Sequence, residues 1–323
     1  MIGTEFIDGQ GLGNQLFLYV VARCMAMERN TEFGTAFQNR FANNIHSNKG
    51  SYFMDIDLGT NIENIQKYKK YYEKDDRLFI PNSKHDIEHG CYVTGIDGGM
   101  FDVEDDTLIY GNCQAEGYFL KYKKEIKDWL KVFPQYEKWD FCDDNICVLN
   151  MRGGEYVNCR ELFLNKVYWQ NAMKYMKKKN PLMSFIIITE DVETAKFLFP
   201  DIPSFHLGMG EDYVAIKNAK HVILSNSSFA FWPVFTSDTI ETIVAPKYWA
   251  RFNVSNGYWA SEQNIYTGWN YMDRKGEIFT DKQCKEELEN FKKCSAIYKR
   301  VNQKPNSISM LGYKLIIKGK EFF

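Results

Sequence analysis

Four short turns in this chain carry residues able to do chemistry. The first, Asn150-Met151-Arg152-Gly153-Gly154-Glu155-Tyr156, follows the apolar run Ile146-Cys147-Val148-Leu149 and puts a guanidinium and a carboxylate in one turn. A guanidinium makes paired hydrogen bonds to a diphosphate and holds its charge as it departs from a reacting carbon. A carboxylate within reach of a hydroxyl takes its proton. Arg152 is therefore the candidate diphosphate contact and Glu155 the candidate base, with Asp8, after the first extended segment, as the reserve. The plainer alternative is that Arg152 and Glu155 only neutralise each other.

The second turn, Gly9-Gln10-Gly11-Leu12-Gly13-Asn14-Gln15-Leu16-Phe17, has the glycines of a tight turn that leaves free amides at a helix start, a cradle for an anion or a sugar. A dinucleotide fingerprint requires its third glycine where Asn14 stands, which argues against an NAD site. Asn14 and Gln15 are unusual in a merely structural first turn. The third turn, Ser225-Asn226-Ser227-Ser228-Phe229, brings hydroxyls to another helix start and reads as an anion site or as simple capping. The fourth, Ile188-Thr189-Glu190-Asp191, offers a carboxylate to a ribose or purine edge, or opens a helix. Asp55-Ile56-Asp57 has the D-x-D form that holds a divalent ion, without an apolar strand before it; His85 and His89 have helical metal-pair spacing without a third ligand.

The elements that must position these turns are clearest after Ile146. Strands are expected at 146–149, 184–188, 204–207, 222–224 and 242–245, and helices at 166–178, 192–198, 212–219 and 227–235. Such alternation implies a parallel sheet whose ligands bind beyond the strands' carboxyl ends. In the first half, Glu5 to Asp8 reads as a strand and Leu16 to Met27 as a helix, and residues 33–138 have weaker periodicity, suited to an acceptor-binding part with insertions at 49–57 and 75–89. Thr280 and Gln283 form a capping box for a helix running to about Arg300. With 323 residues, three segments are expected: 1–140 on the acceptor side, 141–275 on the donor side, and 276–323 as a helix and basic tail.

A formal charge of −2 argues against nucleic acid as a partner. Ten basic and five acidic residues from Asp281 onward leave the tail suited to peripheral contact with an anionic membrane surface, or simply solvated. The eight cysteines show no C-x-x-C pair, and there is no run of eighteen apolar residues and no leader pattern at Met1-Ile2-Gly3. A cytoplasmic protein with reduced thiols is the expectation.

Together the turns resemble the alpha-1,2-fucosyltransferases of glycosyltransferase family eleven. The family's G-G-L-G-N-Q-L-F-Q-Y loop is matched by Gly11-Leu12-Gly13-Asn14-Gln15-Leu16-Phe17-Leu18-Tyr19, its H-x-R-R-G-D-Y by Asn150 to Tyr156, and its S-D-D by Thr189-Glu190-Asp191. Its N-S-T/S-F-S-W-W is matched by Asn226 to Trp232 and its A-P-K-x-W by Ala245-Pro246-Lys247-Tyr248-Trp249, so the order holds over roughly three-quarters of the chain. The resemblance implies an α/β, GT-B-like fold of two Rossmann-like domains facing across a cleft. It also implies a GDP-fucose donor, a glycan acceptor, inversion at the anomeric carbon, and neither metal nor cofactor. Carried over residue by residue, Arg152 meets the diphosphate, Ser227, Ser228 and Phe229 line the phosphate turn, Asp191 faces the nucleoside, and Asn14 faces the cleft. Two departures stand out: Asn150 replaces the family's His, and Gly153 replaces its second Arg. Asn150 hydrogen-bonds a base or phosphate but is no comparable proton acceptor. Arg160 and Lys166 are the nearby charges available as compensation. A different nucleotide-linked sugar, or an inactive glycan-binding relative, are the alternatives these departures leave open.

Overall fold

The computed structural model describes residues 1–43, 48–78, 92–255, 257–294 and 307–320. Its first half is built on a parallel sheet of β1 (Ile2–Glu5), β2 (Phe33–Ala36), β3 (Thr60–Asn61), β4 (Lys69–Tyr72) and β5 (Thr107–Tyr110), ordered β3-β2-β1-β5-β4. These strands have only two to four residues each, which is why their periodicity is weak in the sequence. The first strand also lies earlier than Glu5 to Asp8. Gly3 packs so closely on β2 that a Cβ there would sit 2.1 Å from the Gly34 carbonyl oxygen. This close pairing draws residues 2–5 into the sheet and leaves Ile7 and Asp8 in the following turn.

The second sheet contains β6 (Ile146–Asn150), β7 (Ser184–Ile188), β8 (Ser204–Phe205), β9 (His221–Leu224), β10 (Thr242–Pro246), β11 (Asn270–Met272) and β12 (Ile278–Thr280). Its order is β8-β7-β6-β9-β10-β11-β12, parallel throughout except for the last pair. The chain starts at β6, winds one way to β8, then crosses to β9, so the switch point lies between β6 and β9. Cys147, Val148 and Leu149 of β6 are fully buried, as a central strand covered on both faces requires.

Eight α-helices accompany the sheets among the described residues: α1 (Leu12–Glu28), α2 (Lys123–Trp129), α3 (Lys166–Lys179), α4 (Val192–Leu198), α5 (Met209–Lys217), α6 (Ser228–Thr236), α7 (Asp281–Cys294) and α8 (Ser307–Lys320). Asn165 caps α3 through the Tyr168 amide at 3.2 Å, and Tyr168, Trp169, Ala172 and Met176 give that helix its buried face. The α7 capping box forms as expected: the Thr280 amide donates to Gln283 Oε1 at 2.8 Å and the Gln283 amide to Thr280 Oγ1 at 3.3 Å. The helix runs to Cys294, and residues 295–300 lie outside the described residues.

One seam joins the halves. Helix α1 is buried on nearly every side because it packs on β1 and β2 of its own sheet and on α6 of the other half. Phe17 stacks on Phe231 at 4.8 Å, and the Trp232 indole donates to the Gly13 carbonyl at 3.1 Å. At Gly13 a Cβ would lie 2.3 Å from the Ser228 carbonyl carbon, so only glycine lets the two helix starts approach this closely. The molecule is thus α/β with two Rossmann-like halves facing each other, GT-B-like in plan, and the seam sets the N-termini of α1 and α6 side by side. No described helix is long and apolar enough to cross a membrane.

Candidate active site

Where the two helix starts meet, a cavity of about 230 Å³ opens. The first half contributes Gly9, Gly11, Leu12, Gly13 and Asn14 from the turn between β1 and α1. The second half contributes the ends of β6, β7, β8 and β9 with the turns that follow them, from Asn150 to Phe229. In the first turns the Asn14 amide donates to the Gly11 carbonyl at 3.1 Å and the Ala230 amide to the Ser227 carbonyl at 3.2 Å, which leaves the two leading amides of α1 and of α6 without an intrahelical acceptor, and both helix dipoles present their positive ends to the same space. Ser227 is the N-cap of α6, yet its side chain makes no capping hydrogen bond, so its hydroxyl is not consumed by the helix.

Arg152 lies on the wall opposite. Its Nη1 pairs with Glu190 Oε1 at 2.8 Å, its Nη2 pairs with Glu155, and its guanidinium stands 5.2 Å from the Tyr156 ring centre. The local Arg152–Glu155 pair considered from sequence therefore exists, and Glu190 makes it a three-residue cluster. Burial pushes the Tyr156 phenol up, so it stays neutral and packs as a ring. Asn150 is buried at the end of β6, and its Oδ1 accepts from Ser225 Oγ at 3.2 Å, which fixes the side chain beside the cavity.

Other candidates have different positions. Asp191 does not line the cavity: it caps α4 through the Thr194 amide at 3.1 Å and accepts from the Gly154 amide at 2.9 Å. Burial pushes its carboxyl up, but the hydrogen bonds from Thr194 and Gly154 outweigh that and hold it below the ordinary range. Its neighbour Glu190 is the one that reaches the cavity, because consecutive residues at a strand end point in different directions. Asp8 is also away from the cavity, largely exposed and paired with Arg40 Nε at 3.1 Å. Gln15 is structural, donating to the Arg40 carbonyl at 3.0 Å and accepting from the Ala42 amide at 2.8 Å. Asn14 does face the cavity, and its Oδ1 accepts from Gln114 Nε2 at 3.2 Å.

The absent second arginine has a steric cause. A Cβ at Gly153 would lie 2.4 Å from Asp191 Cβ, so the turn that carries Glu190 and Asp191 occupies the space a side chain would need. Arg160 and Lys166 do not restore the charge at the cavity. Neither lines it, and Lys166 Nζ instead sits 5.3 Å from the Phe199 ring centre. Asp55 and Asp57 are remote as well: Asp57 accepts from the Gly59 amide at 2.9 Å and faces Arg23 at 3.4 Å. Among the described residues no group of three or more His, Cys, Asp or Glu could hold a metal ion; His85 and His89 lie outside them.

The sequence reading missed one pair. His206 Nδ1 lies 2.7 Å from Asp212 Oδ2, and the Leu207 amide donates to Asp212 Oδ1 at 2.9 Å. Both residues line the cavity, and burial pushes the Asp212 carboxyl up to about 6. An aspartate inside an expected helix, six residues after a histidine, carries no periodic signal. Its one trace is that Gly210-Glu211-Asp212 breaks the apolar pattern at a helix start.

The cavity thus lies at a topological switch point, where open α/β sheets bind their ligands, with one lining guanidinium and two helix starts around it. Comparison with known proteins defines the group. Residues 122–273 match the model of Glycosyl transferase family 11. Over 279 residues the chain is 23% identical to an alpha-1,2-colitosyltransferase of Escherichia coli, covering 77% of this chain and 92% of that protein. Among solved structures, POFUT1 in complex with GDP superposes with a TM-score of 0.42 at 11% identity, over 75% of this chain and 97% of that one. Fucosyltransferase NodZ from Bradyrhizobium does so with a TM-score of 0.39 at 14% identity, over 75% and 94%. The chain is a glycosyltransferase, similar over residues 122–273 to family 11.

Proposed function

We propose that this enzyme moves a 6-deoxy sugar, fucose in the first instance, from a GDP carrier to a glycan hydroxyl in an alpha-1,2 linkage with inversion. The observation that carries this reading is that Arg152, Ser227 and Ser228 line one cavity from separate turns, facing the glycine loop of the other half. As the glycosidic bond breaks, positive charge develops on the sugar ring and negative charge on the diphosphate. Arg152 and the amides of α6 answer the second, so the protein supplies the neutralising charge from its own groups and no metal or cofactor is assigned to the step. Glu155, at the exposed side of the Arg152 cluster, accepts the acceptor's proton as its oxygen attacks the opposite face of the sugar.

Base selection rests on Asp212 and His206. A buried carboxylate accepts hydrogen bonds, which suits the N1–H and 2-amino edge of guanine. Uracil presents one N–H flanked by two carbonyl oxygens, which the same carboxylate repels. GDP is therefore expected to raise the melting temperature of the protein and UDP is not; ligand at a hundred times its Kd adds about 2.7 kcal/mol of stability. Stabilisation by UDP alone would overturn the donor assignment. The similarity to a colitosyltransferase, together with Asn150 and Gly153, makes colitose the second donor sugar to test in the same assay. Turnover that survives excess chelator is the expected result for a metal-independent transfer.

A further inference from the structure

Helix α8 (Ser307–Lys320) takes no part in the site. Its sequence, SISMLGYKLIIKGK, has three lysines and no acidic residue, although the chain as a whole has a formal charge of −2. Leu311 and Leu315 stand one turn apart with Ile316 beside them, and they are 59%, 64% and 58% exposed. Lys314 and Lys318, also one turn apart, flank this strip and are exposed as well. A helix made to complete the protein core would bury its leucines, and one made for bulk water would not carry three large aliphatic side chains in a row. At 14 residues it spans about 21 Å, shorter than the roughly 30 Å hydrocarbon core of a bilayer.

We propose that α8 lies flat on an anionic phospholipid surface, with Leu311, Leu315 and Ile316 entering the acyl boundary and Lys314 and Lys318 reaching the headgroups. Charge complementarity selects this occupant: lysine stems cover apolar surface while their ammonium groups remain at the lipid phosphates. The body, with its acidic excess, is not attracted to the same surface, so contact is confined to the helix.

The test is sedimentation of the full chain with vesicles of phosphatidylcholine alone or mixed with phosphatidylglycerol. The expected result is binding to the mixed vesicles only, weakening as salt is raised. Each lysine is worth about fivefold in partitioning, so Lys314→Gln with Lys318→Gln lowers binding about twenty-five-fold. Leu311→Ser with Leu315→Ser and Ile316→Ser lowers it more than about a hundredfold. Melting temperature and GDP binding stay unchanged in both variants, because the altered side chains touch neither core nor cavity. The proposal is overturned if the chain stays in the supernatant with anionic vesicles or if the triple variant binds as well as the natural protein. It is equally overturned if the triple substitution abolishes a concentration-dependent dimer, which would assign the strip to a second copy.

Discussion

Replacing Glu155 by Gln separates two jobs that meet at Arg152. The guanidinium is shared between Glu190, whose side chain is 22% exposed, and Glu155, 54% exposed. A diphosphate that approaches Arg152 must displace one carboxylate, and the more exposed partner is the easier to release. A pair exposed to this degree is worth about 0.2–1 kcal/mol, so its removal is expected to tighten GDP binding by roughly 1.5- to fivefold. The same change removes the assigned base, and kcat is expected to fall by about 10²- to 10⁴-fold. Affinity and turnover thus move in opposite directions, which damage to the fold cannot produce. Titration calorimetry with GDP reads the first quantity, and initial rates of sugar transfer, followed by product NMR, read the second. Glu155→Asp, which keeps the proton acceptor on a shorter stem, is expected to recover part of the rate. Weaker GDP binding in Glu155→Gln would refute the displacement, and a kcat within a factor of about three of the natural enzyme would refute the base assignment.

Arg152→Ala is expected to cost about 10²- to 10³-fold in kcat and to weaken GDP binding, because Glu155 and Glu190 then face the diphosphate without a counter-ion; unchanged kinetics would remove Arg152 from the reaction. Gly13→Ala pushes a methyl into the Ser228 backbone and is expected to destabilise the protein by about 2–3 kcal/mol in urea unfolding, with loss of GDP binding as α1 and α6 separate. Asp212 holds its proton more tightly in the folded state than in the unfolded one, with a pKa of about 6 against about 3.9. Between those limits the native state binds more protons than the unfolded one, so this group's contribution to stability falls as pH rises through the window. Asp212→Asn is expected to flatten that part of the pH profile of urea unfolding; an unaltered slope would disprove the assignment. Gly153→Arg, which introduces the second arginine of the family this chain resembles, is expected to lower the melting temperature because its Cβ meets Asp191, and a stable variant with tighter GDP binding would contradict the steric account.

Much of the second half is legible in the sequence because its strands and helices are long enough to express their periods. The runs 184–188 and 192–198 form with the expected bounds, and 166–178 differs by one residue. The first half is less legible, because its two- to four-residue strands are held by parallel pairing to distant segments. No local pattern reports that pairing.

For the site the division is similar. Local order put Arg152, Ser227 and Ser228 at strand-to-helix turns, since an apolar strand followed by glycine or serine can be read from neighbouring residues alone. That Asn14 and Ser228 line one cavity depends on a glycine with no side chain at the seam between α1 and α6, more than two hundred residues apart in sequence. Which carboxylate of Glu190 and Asp191 reaches Arg152, and that Asp212 rises beside His206, were likewise set by packing. Direction and burial arise only when several chain segments close around the same space, whereas turn and period are properties each segment carries alone.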